Sequence, residues 1–189
     1  MDKIVIARGI AMPFFPMRPA HGSDLRNQGS VATFVKNELS KHDWVIQPKL
    51  EGDRACVGVL NKNVYIQNRH GGWYTKHVKN LEDFKKLPSG TVLDGEVFKG
   101  NFYPFDCLAL DGKTKMLCTA SEREVLAFHV SKLLKHDWMF ERPSERWVSA
   151  LRGNLPVYGG VVLKRMGSMY VIAGSPGGFN LDWMKQVWG

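Results

Sequence analysis

Between residues 54 and 68 the apolar positions fall in two short blocks, "RACVGVL" and "NVYIQN", parted by Asn61, Lys62 and Asn63. Branched and aromatic residues on both sides of turn-forming residues predict a β-hairpin. Further strands are expected over 91–98 and 103–110, the second closed by the turn "DGK". The rhythm then changes. In "SEREVLAFHVSKLLKH" the residues Val125, Leu126, Val130, Leu133 and Leu134 recur at helical spacing, with Ser121 as cap and Glu124 completing a capping box. Ser30 likewise caps a helix over "VATFVKNELSKH", and "SERWVSALR" predicts a shorter one. Strands return at "GGVVLKR" and "MYVIAG" before the closing "NLDWMKQVWG". The first twenty residues, rich in Pro and Met, are expected to wrap the surface irregularly. Strand runs joined by turns, with helices inserted singly, predict an α+β domain of antiparallel β-sheets flanked by helices.

At 189 residues, 44% hydrophobic and 23% charged, the chain suits one globular domain with its own core. There is no internal repeat. The formal charge of +8 changes the picture more, because it points to phosphate-rich partners, nucleic acid first. Cys56, Cys107 and Cys118 are odd in number, and the first two sit in apolar strand-like settings. Reduced, structural thiols in a cytoplasmic compartment are expected. No pair of them has metal-ligand spacing. The N-terminal apolar stretch is broken by Arg8, Gly9 and Pro13, and no later run is long enough to span a bilayer. A protein that works away from membranes is expected.

The chemistry begins with Lys49, in "QPKLEGDRACV". A free lysine has a pKa of about 10.4, so roughly one in a few thousand is neutral and nucleophilic at pH 7. Alone, "KLEGDR" reads as an exposed loop. Other stretches add weight. "QNRHGGWYT" sets Arg69 in a Gly-rich turn, where a guanidinium and backbone amides bind phosphate together. "LDGEVF" places Glu96 beside Gly95, which would let a ligand approach the backbone closely. "YPFDCLALDGK" offers the aromatic face of Phe105 next to Asp106, while Lys164 ends "GGVVLK" and Lys185 lies in "DWMKQVW". Singly, each has a plain structural reading: a turn arginine, an edge-strand acid, a core phenylalanine, solvated lysines.

In this order the segments resemble the motif series of the covalent nucleotidyltransferases: ATP-dependent DNA ligases, RNA ligases and mRNA capping enzymes. "KLEGDR" resembles motif I, K-x-D-G-x-R, with Glu51 for Asp, and "NRHG" resembles motif Ia, S-R-x-G, with Asn68 for Ser. "LDGEV" matches motif III, and "FDCLALDGK" matches motif IIIa in its DNA-ligase form. "GGVVLK" and "WMKQV" are similar to motifs IV and V. The resemblance spans about Gln47 to Lys185, and it implies the ligase and capping-enzyme catalytic-domain (ATP-grasp-like) fold.

It also implies a division of labour. Lys49 would attack the α-phosphate of ATP, expel pyrophosphate and carry AMP to the 5′-phosphate at a nick. Arg54 and Glu96 would hold the ribose, Phe105 would stack on adenine, and Gln47 would read its edge. Arg69 would hold a phosphate, while Lys164, Lys185 and Mg²⁺, with Glu96 as a metal ligand, would neutralise the α-phosphate. Three further positions depart from the pattern: Gly159 for the motif IV glutamate, Val187 for the second motif V lysine, and Gln47 where ligases often have glutamate. A glutamine carbonyl accepts from adenine, yet its amide can equally face a guanine oxygen. The chain stops four residues after Lys185, where family members usually continue into an OB-fold. The expectation is a monomeric, minimal phage-type adenylation domain over 1–189 with no OB-fold, acting on nicked duplex DNA. An RNA ligase, a capping-type guanylyltransferase and an inactive nucleotide- or nucleic-acid-binding module are the alternatives. Basic segments around Lys76, Lys79, Lys85, Lys86, Arg142, Arg146 and Arg152 are candidates for gripping the DNA backbone.

Overall fold

A computed structural model of the chain describes residues 2–21, 44–134, 160–174 and 180–187. Their centre is a five-stranded sheet. It comprises β5 (Asp53–Leu60), β6 (Asn63–Asn68), β7 (Thr91–Phe98), β8 (Asn101–Leu110) and β9 (Lys113–Thr114), in the order β6-β5-β7-β8-β9 and antiparallel throughout. The predicted hairpin is there, and so are the strands over 91–98 and 103–110, the latter starting two residues earlier. Each tight turn takes two residues with positive φ: Asn61 and Lys62, Lys99 and Gly100, Asp111 and Gly112. That backbone matches the twist of the strands it joins.

Both faces of this sheet are covered, which is why "RACVGVL" reads as an unbroken apolar run. Ala55, Val57 and Val59 belong to one core with Phe84, Phe102, Ala127 and Val130. Cys56 faces a second core with Ile6, Ile10, Met12, Phe14 and Met17. This second core corrects the expectation for the first twenty residues. They form β1 (Ile4–Ala7), β2 (Ile10–Met12) and β3 (Pro19–His21), and the β1–β2 hairpin supplies buried Ile6, Ile10 and Met12 to the sheet's back face. Gly58 explains the fit. A Cβ there would lie 2.4 Å from Met12 Sδ and 3.0 Å from Ile6, so the missing side chain makes room for the hairpin.

The helix α1 (Ala120–Leu133) is also corrected in its detail. Thr119 is its cap and Glu122 the partner: the Thr119 side chain accepts from the Glu122 N–H, and the Glu122 carboxylate accepts from the Thr119 N–H at 2.8 Å. "TASE" and "SERE" both carry the capping-box pattern, and the first one is used. The expected apolar stripe is only partly buried, because Val125 and Leu133 are exposed while Val130 and Leu134 are buried. The buried face is Ala120, Arg123, Ala127, Val130 and Ser131. The Arg123–Asp106 ion pair attaches this helix to the sheet together with the apolar contacts of Ala127 and Val130.

A second sheet orders its strands β3-β11-β10-β4, with β4 (Trp44–Pro48), β10 (Gly160–Arg165) and β11 (Asn180–Val187). The strand expected over "MYVIAG" does not form; only Ala173 makes a bridge, to Phe15. Tyr170 is instead buried, and its hydroxyl, not its strand pairing, ties the segment down. The helices expected after Ser30 and around "SERWVSALR" lie outside the described residues. So does Gly159. No described helix is long and apolar enough to cross a membrane.

Candidate active site

Lys49 lies on the short link that leaves β4, in one sheet, and enters β5, in the other. Leu50 is buried and anchors this link, while Glu51 is exposed and Lys49 half-buried. Gly52 has a specific reason to be glycine: a Cβ would stand 2.2 Å from the Val97 carbonyl oxygen. Its absence lets the loop press on β7, where the Gly52 N–H donates to Glu96 Oε1 at 3.2 Å. Lys49 is thereby held where its charge acts on Glu96. Burial raises the Glu96 carboxyl to about 7, against the pull of Arg54, Lys49 and the Gly52 N–H.

Arg54 and Glu96 sit directly opposite each other across β5 and β7, as a pair sharing one ribose would require. The Arg54 guanidinium, however, grips Asp94: Nε donates to Oδ1 at 3.1 Å and Nη2 to Oδ2 at 2.6 Å. Asp94 is fully buried and also accepts from the Tyr170 hydroxyl at 2.7 Å, whose oxygen accepts from Met17 N–H at 3.1 Å. The strand-interior acid of "LDGEV" therefore organises Arg54. Its neighbour Gly95 is required to be glycine by the adjoining strand. A Cβ there would meet Tyr103 O at 2.3 Å and the Phe102 ring at 2.6 Å, so β8 itself occupies the space.

A second buried acid, Asp106, repeats the device. It accepts from Arg123 Nε at 2.8 Å and from Lys164 Nζ at 3.5 Å. Lys164 is also buried. Its Nζ donates to the Phe105 carbonyl at 3.2 Å and lies 4.6 Å from the centroid of the Phe105 ring, with the Arg54 guanidinium carbon at 5.7 Å. Burial pulls the Lys164 ammonium below its ordinary value, while Asp106 acts in the opposite sense. Gln47 completes this cluster, donating through Nε2 to Glu124 Oε1 at 2.9 Å and to Phe105 O at 3.4 Å. In the sheet, Gln47 and Lys185 flank Val162 on either side, two residues from Lys164.

The structure thus brings Gln47, Arg54, Phe105 and Lys164 together, and Lys49 to Glu96. Arg69 stands apart on the exposed β6 turn, where its Nε donates to His70 Nε2 at 3.1 Å. It nonetheless shares a cavity of about 270 Å³ with Gly52, Arg54, Tyr74 and Lys76. Three cationic side chains on one concave surface suit an anion. Asp53 tempers them, accepting from Lys76 at 2.6 Å and from Tyr74 at 3.0 Å, and these bonds hold its carboxyl below the usual value. As for metal, the described residues contain no cluster of three His, Cys, Asp or Glu side chains. Asp94 and Asp106 are engaged by cations, which leaves Glu96. That set fits a magnesium ion held by one carboxylate and nucleotide oxygens, not a cage made of protein alone.

The sequence did not single out Asp94, Arg123 and Tyr170, and it showed Asp106 only as a neighbour of Phe105 and Glu124 only as part of a capping box. A signal existed for the two acids. Each sits inside an apolar strand, where a carboxylate is tolerated only with a buried cation.

No family model matches the chain, and no curated protein does. Solved structures do. The ligase domain of M. tuberculosis LigD is similar with a TM-score of 0.59 and 21% identity, over 76% of this chain and 53% of that one. A mycobacterial DNA ligase D complexed with ATP and MES gives 0.58 and 21%, over 76% and 54%. Pmar-Lig_PreS3 gives 0.62 and 20%, over 94% and 47%. The chain spans about half the length of these structures. With its antiparallel five-stranded sheet, a second sheet that is antiparallel except where β3 joins β11 in parallel, and the lysine link between them, the chain has the α+β fold of a ligase catalytic domain.

Proposed function

We propose that this chain is the adenylation domain of an ATP-dependent polynucleotide ligase that seals nicks in duplex DNA. The observation that carries the reading is the seating of Lys49, on a glycine-dependent loop bonded to Glu96, in a fold shared with ligase domains. The neutral Lys49 amine attacks the α-phosphorus. An N–P bond forms, the bond to the β-phosphate oxygen breaks, and pyrophosphate departs with that electron pair. The amine proton passes to solvent. AMP is then transferred to the 5′-phosphate at the nick, and the 3′-hydroxyl displaces it.

The chain's own residues position the nucleotide. Phe105 supplies an aromatic face, Gln47 a polar edge, and Glu96 with Arg54 the ribose contacts. Lys164 and Lys185 supply positive charge near the reacting phosphate, and Arg69 with Lys76 a cationic surface for a further phosphate. Bound Mg²⁺, held by Glu96, supplies charge neutralisation at the phosphates. Motif IIIa in its "FDCLALDGK" form favours DNA over RNA.

The test is direct. Mass spectrometry of the protein incubated with ATP and Mg²⁺ is expected to show one AMP on Lys49, absent in Lys49→Ala. The variant is expected to lose sealing from ATP yet still join a pre-adenylated nick, since that last step does not use the nucleophile. Sealing from ATP at the wild-type rate by Lys49→Ala would remove Lys49 from the reaction. Sealing of nicked RNA in preference to nicked DNA would reassign the substrate.

A further inference from the structure

We infer that Glu124, on α1, sets the base selectivity of the site by fixing which way the Gln47 amide points. The inference rests on the adenylation reading above and deepens it. An amide side chain offers two donors on one side and an acceptor on the other, and sequence leaves its orientation open. Here both neighbours of Gln47 Nε2 are oxygens that accept: Glu124 Oε1 at 2.9 Å and the Phe105 carbonyl at 3.4 Å. Turning the amide over would set its oxygen against two other oxygens. The NH₂ group is therefore committed to the protein.

Gln47 Oε1 is left as the free end. It has no hydrogen-bond partner among the described residues, although Gln47 is only 2% exposed. A buried carbonyl of this kind calls for a donor. The backbone carbonyl of Phe105, the residue whose ring is the candidate stacking face, shares the Gln47 Nε2 bond. A purine stacked there would present its six-position edge to Gln47. Adenine offers an N–H donor at that edge, whereas guanine offers an oxygen. Glu124 thus turns an ambiguous glutamine into a reader of adenine. It touches no nucleotide in this scheme and is a positioning residue.

The adjacent residue strengthens the case for α1 as the holder. Arg123 bonds Asp106, which follows Phe105, and Glu124 bonds Gln47, which bonds the Phe105 carbonyl, so successive positions of one helical turn hold two neighbours of Phe105.

The experiment is self-nucleotidylation of the whole chain with α-labelled ATP or GTP under matched conditions. Glu124→Met keeps length and helix propensity but removes the acceptor, so the Gln47 amide can rotate. The ATP-to-GTP labelling ratio is expected to fall about tenfold. Glu124→Gln restores an acceptor oxygen and is expected to stay within about threefold of the wild type. Glu124→Ala, which adds no bulk, replaces the methionine variant should that one fail to fold. Equal loss of labelling by both nucleotides, or an unchanged ratio in the Met and Ala variants, overturns the inference while Lys49 remains labelled. A wild-type chain labelled by neither nucleotide is a different result: it overturns the adenylation reading and this inference with it.

Discussion

A carboxyl group that titrates near neutrality has consequences for the empty protein as well as for its chemistry. Glu96 is raised from an ordinary 4.5 to about 7, chiefly by burial. The folded state therefore binds this proton more tightly than the unfolded chain does. The stability that follows is fully present below 4.5 and is lost as pH rises through about 7. The separation corresponds to at most ~3 kcal/mol, since partial exposure moderates it. Glu96→Gln carries no such proton. In metal-free, nucleotide-free buffer, denaturant midpoints of the wild type are expected to fall relative to Glu96→Gln between pH 5 and 8. Parallel profiles for the two proteins would mean that Glu96 is solvated like a surface carboxylate.

At the scale of elements, the site is a loop pressed onto a strand. The closest approach is at Gly52, where even one methyl group collides with a backbone oxygen that cannot swing aside. Gly52→Ala is expected to lift the loop from β7, break the bond to Glu96, and cut self-adenylation by about 100-fold, the penalty of misplacing a reacting group by about an ångström. Destabilisation should stay near 1–2 kcal/mol, because the cores on both sides of the sheet are untouched. Wild-type labelling in Gly52→Ala would show that the contact with β7 is dispensable. Elements differ in how well the sequence announces them. The β5–β6 hairpin was legible because its turn and its branched residues are local signals. So was the clustering of the motif segments, since the structure sets Arg54 opposite Glu96 and brings Gln47 and Lys164 to Phe105. The N-terminal hairpin was not, because what makes it a core element is Gly58, more than forty residues away along the chain. The start of α1 was ambiguous between two overlapping capping boxes, and its buried face is set by the distant Asp106. What Gly95 makes room for was hidden for a related reason: a strand glycine looks the same in sequence whether it admits a ligand or the neighbouring strand.

For the molecule as a whole, the +8 charge is the term that reaches furthest. Several of the candidate basic residues are already answered by acids on the surface: Lys76 by Asp53, Lys85 by Glu82 and Lys86 by Asp83. Such exposed pairs are weak and open readily to a stronger anion. Lys79 is exposed and has no ion-pair partner among the described residues, so it is the residue to vary. A ligase must accept any sequence at a nick, so its grip should come from phosphate contacts, each adding about −0.9 to the log–log salt slope. With about five contacts, a fourfold rise in salt weakens nick binding ~500-fold. Adenylation engages one small nucleotide inside a walled site, where screening reaches less. Measured on one preparation across a salt series, nick affinity is expected to fall by orders of magnitude while labelling of Lys49 falls severalfold at most. Lys79→Ala is expected to make the binding slope shallower by about 0.9 and to leave labelling unaltered. A slope that stays the same takes Lys79 out of the interface. Nick binding indifferent to salt in the wild type would mean that the charge serves something other than holding DNA.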